Sequence, residues 1–240
     1  MTLSLDLIGI NRTLLRRVLK RYRNALVVIA ASVLAAALAL ALLAPASPPN
    51  LAQPSHADHV QLLTESWAKG EVIAVVRHGE RCDRSSSRCL GPADGVTVRG
   101  EVTVQALGAD FKQLGLMNTD VYSSLLTRAR QTADAMFVRP VEALDWLFNC
   151  RGSMLRDALQ HKVPGRNLIL VSHSECMDQL LTDMHLSTRT TFGYGATLFI
   201  STNETNGEAQ MLGYIEPKDW ENIVPVMTAS SRHGYEASQF

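Results

Sequence analysis

Three apolar runs in this chain each end in polar residues that could act together. EVIAVV (71–76) leads into Arg77-His78-Gly79-Glu80-Arg81. VYSS (121–124) leads into Leu125-Leu126-Thr127-Arg128-Ala129-Arg130-Gln131-Thr132-Ala133, and NLILVS (167–172) into His173-Ser174-Glu175. A single histidine after a strand is ordinarily structural or solvated. Two of them, with arginines in attendance, point to phosphoryl transfer. Guanidinium forks match phosphate oxygens bidentately and stay charged at any working pH. A neutral imidazole nitrogen can attack phosphorus and divide a difficult hydrolysis into two easier steps. Gly79 would let the backbone turn close to the phosphate. Thr127 or Ser124 would cap the following helix, whose first amides add to an anion site. No cofactor and no metal is expected.

Other polar residues read more plainly. Arg81 is a further candidate phosphate contact, whereas Arg84 and Arg88 read as solvated loop charges. Of Arg128 and Arg130 only one can point inward. His56 and His59 have a metal-like spacing but no third ligand nearby. His161, His185 and His233 read as ordinary surface or half-buried residues, and Trp67, Trp146 and Trp220 as packing residues.

The elements that must position these side chains alternate. Strands are expected at 71–76, 120–123, 167–172, 196–201 and 210–215. Helices are expected at 98–115, 127–137, 153–161 and 174–184. Fully apolar strands alternating with helices imply an α/β fold, a mostly parallel sheet with helices on both faces in three layers. In such folds ligands collect at the carboxyl ends of the strands, where the three polar clusters stand.

The 240 residues suffice for one ordinary domain and a targeting segment. Residues 1–24 hold six cations (Arg12, Arg16, Arg17, Lys20, Arg21, Arg23) against the single anion Asp6, a net of +5. With a formal net charge of zero overall, −5 is left for the rest, which argues against nucleic acid as a partner. Residues 25–44 (ALVVIAASVLAAALALALLA) carry no charge. About 20 apolar helical residues span a bilayer core, and the cations before them keep that end in the cytoplasm. The expected organisation is a basic cytoplasmic segment (1–24), a signal anchor or signal peptide (25–44), a linker (45–59), the folded domain (60–220) and a C-terminal tail (221–240). Ala44-Pro45-Ala46 resembles a cleavage site, but the apolar run is longer than a typical signal, which favours an anchor. Export to an oxidising compartment makes disulfides the expected state of Cys82, Cys89, Cys150 and Cys176, since no CxxC spacing supports zinc. Of the three possible pairings, Cys82–Cys89 with Cys150–Cys176 is favoured, because the first closes a short loop at little entropic cost.

VVRHGER, SSLLTRARQTA and LVSHSE resemble, in order and spacing, the three signature segments of the histidine phosphatase superfamily, with its phosphoglycerate mutase-like fold. The resemblance covers residues 72–215. It implies that His78 is the nucleophile and that Arg77, Arg128 and His173 cradle the phosphoryl group, Arg128 being the inward arginine. DGVTVRG (94–100) resembles the segment where a polar residue and a glycine open the next helix. RHGERCDRSSSRCL, GVTVRG, and the cysteines of LFNC and SHSEC further resemble exported phosphatases of the lipopolysaccharide core. That likeness implies a phosphorylated envelope sugar as substrate and a periplasmic setting. One departure stands out. Many members of the superfamily carry a glutamate that protonates the leaving oxygen where this chain has Asn149, and Asn149 has no proton to titrate. Glu80, Asp145 and Glu175 are the other carboxyls; Glu175 reads equally as a proton donor or as a first-turn acid complementing its helix dipole. A phosphatase for phosphoproteins or small soluble phosphates, and a catalytically silent module binding phosphate or lipopolysaccharide, are the competing readings.

Overall fold

The computed structural model describes residues 12–202 and 208–237. The expectations for residues 1–11 and 238–240, and for the side chain of His233, lie outside the described part. The chain divides into two units, Met1–Pro45 and Ala46–Phe240. Among the described residues the first holds one helix, α1 (Arg12–Leu42). Within it Lys20–Leu40, 21 residues of mean hydropathy 2.0 with none buried, is long and apolar enough to cross a membrane.

The second unit is a three-layer α/β/α domain. In chain order its elements are α2 (Ala57–Lys69), β1 (Val72–Arg77), α3 (Val98–Leu114), β2 (Thr119–Ser124), α4 (Thr127–Phe137), β3 (Ala143–Leu144), α5 (Met154–His161), β4 (Asn167–Ser172), α6 (Ser174–Asp183), β5 (Thr197–Thr202), β6 (Ala209–Ile215) and α7 (Trp220–Ala237). The sheet runs β3-β2-β4-β1-β5-β6. The four strands β1 to β4 are mutually parallel, and β5 and β6 add an antiparallel edge.

Alternation along β1 sends Val72, Ala74 and Val76 into one core and Ile73 and Val75 into the other. The first core is completed by α2, α3, α4 and α7, with Phe111, Phe199 and Trp220 packed at ring separations of 4.8–6.5 Å. The second is completed by α5 and α6. Burying each such large side chain stabilises the domain by about 1.5–3 kcal/mol.

The expected boundaries move at both ends. Leu51 is 1% exposed, and Leu51 N–H donates to the Tyr214 carbonyl at 3.0 Å, so the packed domain includes part of the expected linker. The expected tail is instead α7, whose Trp220, Ile223, Val224 and Met227 recur at helical spacing and are buried.

Register fixes where the chemistry falls. Arg77 at the end of β1 lies opposite Ser172 at the end of β4, and Ser123 of β2 lies opposite Val171. The residues that follow these three strands therefore emerge side by side.

Candidate active site

His78 follows β1 directly and is 2% exposed. Its backbone N–H donates to the Ser172 carbonyl at 2.9 Å, which ties it to the neighbouring strand. The ring has two partners of fixed polarity. Nδ1 lies 2.8 Å from the Gly79 carbonyl, which only accepts, and Nε2 lies 3.1 Å from Nε–H of Arg128, which only donates. Nδ1 therefore carries the proton and Nε2 the lone pair. Burial lowers the imidazole pKa to about 3, the guanidinium charges of Arg128 and Arg77 adding to it against the Gly79 hydrogen bond. A neutral imidazole with its lone pair beside a guanidinium is equipped to attack an anion's phosphorus atom.

The segment that opens α4 does three separate jobs. Arg128 meets His78, the Thr132 hydroxyl accepts from Gly79 N–H at 2.8 Å, and the Gln131 side-chain oxygen accepts from Val96 N–H at 2.8 Å. Arg130 is exposed, as expected of the outward arginine. Neither Ser124 nor Thr127 caps the helix in the expected way. Leu126 is the N-cap, and the Thr127 hydroxyl donates to Asp94 at 2.6 Å. The Gly79 N–H is taken by Thr132. What the missing Cβ of Gly79 permits is the approach of α3, since a Cβ would sit 3.3 Å from the Gly100 carbonyl oxygen and from Val104. Gly100 answers it, because a Cβ there would lie 2.7 Å from the Glu80 backbone nitrogen. Thr97 caps α3 by accepting from Gly100 N–H at 2.9 Å.

Arg77 is held under the site. One guanidinium nitrogen donates to the Phe192 carbonyl, and the group lies 4.3 Å from the ring centre of Tyr194, a cation–π contact. Its buried Nε has no acceptor among the described residues. The Tyr194 ring also flanks His78 at 5.7 Å. Tyr194 belongs to no motif; only its place in the loop before β5 could have drawn attention to it.

His173, 6% exposed, is the N-cap residue of α6. Its Nδ1 lies 3.1 Å from the Glu175 carboxylate and its Nε2 3.5 Å from Cys176 Sγ. Burial lowers the His173 pKa more than Glu175 raises it, so this contact is an N–H donated to a carboxylate. Partial burial opposes ionisation of Glu175, but its own backbone N–H, His173 and Ser174 outweigh it and hold the carboxyl at about 2. A group ionised at neutral pH has no proton to give, so the geometry makes Glu175 an acceptor that orients His173. An open cavity of about 670 Å³ beside His173 is lined by Phe148, Asn149, Arg151, Glu175, Asp178 and Gln179, among others. Burial and the charge of Glu175 raise the pKa of Asp178.

The remaining candidates stand apart. The Arg81 guanidinium is engaged by Asp83 at 2.5–2.8 Å. Glu80 accepts from Thr97 at 2.7 Å and from Arg99, bracing the loop, and those partners lower its pKa against a small desolvation cost. Asp145, Arg84, Arg88 and His185 are exposed. His161 stacks on Trp146 at 4.9 Å, and His56 and His59 each bond a backbone carbonyl. The cysteines pair as Cys82–Cys89 and Cys150–Cys176, with Cα separations of 5.3 and 5.6 Å.

Residues 73–145 match the family model of the histidine phosphatase superfamily (branch 1). Among curated relatives, the lipopolysaccharide core heptose(II)-phosphate phosphatase of Escherichia coli O1:K1 / APEC is 32% identical over 115 residues, 47% of this chain and 57% of the relative. The protein of the same name from E. coli ATCC 8739 is 33% identical over 116 residues, with the same coverage. The chain thus spans little more than half the length of these relatives. Among solved structures, phosphoglycerate mutase of Bacillus anthracis str. Sterne aligns at 16% identity and TM-score 0.46, over 66% of this chain and 99% of that one. Phosphoserine phosphatase of Entamoeba histolytica, in complex with 3-phosphoglyceric acid, aligns at 13% and 0.45, over 60% and 95%. Residues 73–145, which hold His78 and Arg128 in contact, are thus similar to the histidine phosphatase superfamily (branch 1).

Proposed function

We propose that this domain is a phosphomonoesterase that works through a phosphohistidine on His78, acting on a phosphorylated sugar of the lipopolysaccharide core. The observation that carries the reading is the His78 imidazole, buried, neutral and fixed with its Nε2 lone pair against Arg128. Arg128 Nε–H leaves Nε2 for an equatorial phosphoryl oxygen, Nε2 attacks phosphorus in line, the bond from phosphorus to the sugar oxygen breaks, and that oxygen leaves with the electron pair. Arg77, whose buried Nε wants an acceptor, and Arg128 hold the equatorial oxygens where charge spreads. His173 borders the third side, its Nδ1–H held by Glu175, which orients the ring. Water then attacks the phosphohistidine and releases inorganic phosphate. The proton needed by the leaving oxygen comes through water, since Glu175 is ionised and Asn149 lines the cavity where a carboxyl would serve.

The substrate and setting rest on coarser support. Relatives named as heptose(II)-phosphate phosphatases, two disulfides and a helix able to cross a membrane favour an anchored or exported protein in the envelope. The deciding experiment measures inorganic phosphate released from purified lipopolysaccharide by the full chain and by His78→Ala. Release by the wild type alone supports the reading, and it should survive exhaustive chelation. Release only from phosphopeptides or small phosphates moves the substrate elsewhere, and binding without release describes a silent module.

A further inference from the structure

Cys150, His173 and Cys176 come together beneath the site, all three buried, with their donor atoms within 4.8 Å of one another. In the described structure the two sulfurs are bonded to each other. The position of the third donor is what makes the cluster unusual. Nε2 of His173, the ring nitrogen turned away from Glu175, lies 3.5 Å from Cys176 Sγ. In a tetrahedral zinc site, bonds of about 2.3 Å to sulfur and 2.0–2.1 Å to nitrogen put a sulfur and a nitrogen about 3.6 Å apart, and two sulfurs about 3.8 Å apart. The nitrogen–sulfur edge of such a site is therefore already present. The sulfur–sulfur edge needs only that two thiolates separate to ordinary non-bonded distance, and a Cα separation of 5.6 Å leaves room for that.

We infer that opening the Cys150–Cys176 disulfide creates a soft-metal site, Cys150 Sγ, Cys176 Sγ and His173 Nε2, that takes Zn²⁺ or a similar ion. The bridge gains two electrons and two protons from an external thiol or phosphine reductant, giving two thiols. Binding the ion then releases two protons, and two thiolates cancel the charge of Zn²⁺, so a neutral complex is buried. Cys150 and His173 line the 670 Å³ cavity, which gives the ion a way in and leaves a fourth position for water. With Nε2 on the metal, the proton of His173 must sit on Nδ1, facing Glu175. The redox state of the bridge thus reaches a side chain of the phosphate site. This inference rests on the three donors and stands whether or not the proposed phosphatase activity is found.

The test uses the full chain in detergent, reduced with a phosphine, freed of reductant and titrated with Co²⁺ and then Zn²⁺. The reduced protein should take one Co²⁺, with thiolate charge-transfer absorption and tetrahedral visible bands, and Zn²⁺ should displace it. The oxidised protein should show neither. Reduced Cys82→Ser/Cys89→Ser should bind as the wild type does. Reduced His173→Ala should bind at least about tenfold more weakly, with altered visible bands. The inference is overturned if the reduced chain binds no Co²⁺, if circular dichroism shows that the reduced chain has unfolded, or if binding is lost with Cys82 and Cys89 while His173→Ala leaves it intact.

Discussion

The two flanks of the proposed phosphate site are built to different degrees. On the His78 flank most polar groups have a designated partner, the buried Nε of Arg77 being an exception among the described residues. The imidazole is held by Gly79 and Arg128, Gly79 by Thr132, the Val96 amide by Gln131, and Glu80 by Thr97 and Arg99. On the flank beyond His173 the side chains face an open cavity. Phe148 and Asn149 are exposed, and the Glu175 side chain is 75% exposed. On the proposed mechanism the first flank must hold a nucleophile to within tenths of an ångström, and packing plus hydrogen bonds would do that before substrate arrives. The second must receive a variable leaving group and its proton, and rigidity there would serve no purpose. On that mechanism phosphoryl chemistry is preorganised, while leaving-group chemistry is left to the substrate and to water.

The largest expected effect is on the rigid flank. His78→Ala should lower turnover on the order of 10⁴-fold or more while leaving the thermal unfolding midpoint close to that of the wild type. An unfolded variant would make His78 a packing residue instead. Thr132→Val keeps shape but strands the buried Gly79 N–H, so it should cost about 1–3 kcal/mol in urea denaturation and also slow turnover. Unchanged stability there would show that the loop is held by something other than this bond.

A third expectation concerns acid. The unfolded His78 imidazole takes up a proton near its ordinary pKa of 6.5, whereas the folded one waits until about 3. Between those values the unfolded state binds more protons, so this residue makes stability fall as pH falls from about 6.5 towards 3. Carboxylates with lowered pKa values add to the same trend, so the check is the difference between wild type and His78→Gln. The wild type should lose stability more steeply across that window, and equal slopes would contradict a buried neutral imidazole. The smallest effect belongs to the open flank. Glu175→Gln should cost turnover modestly and equally on a sugar phosphate and an aryl phosphate. A loss of ~10²–10⁴ confined to the sugar phosphate would restore Glu175 as the proton donor.

Much of the rigid flank was legible in the sequence, because its positions are set by local rules. Apolar runs gave β1, β2 and β4, and α4 runs over the expected 127–137. Register between parallel strands then brings Arg77, Arg128, His78 and His173 to one edge without further information. What the sequence hid depends on contacts distant along the chain. Tyr194 reaches Arg77 and His78 only through the loop before β5, and β3 is two residues long, too short for any periodicity. Trp220, Ile223, Val224 and Met227 recur at helical spacing, but α7 was not expected there, and Pro225 inside it is a residue that ordinarily breaks a helix. The general acid stayed open because ionisation is set by neighbours, and the hydrogen bonds that keep Glu175 charged are visible only in three dimensions.

If His78 Nε2 carries the phosphoryl group, the covalent intermediate can be trapped. The full chain would be mixed with labelled substrate, quenched within its first turnover in alkaline denaturant, and digested. The nitrogen–phosphorus bond survives alkali and is lost in acid. Acid-labile label is expected on the peptide containing His78, attached at Nε2 and absent from His78→Ala. Label on a serine or cysteine, or a competent enzyme that turns over without any label, would contradict a phosphohistidine at His78.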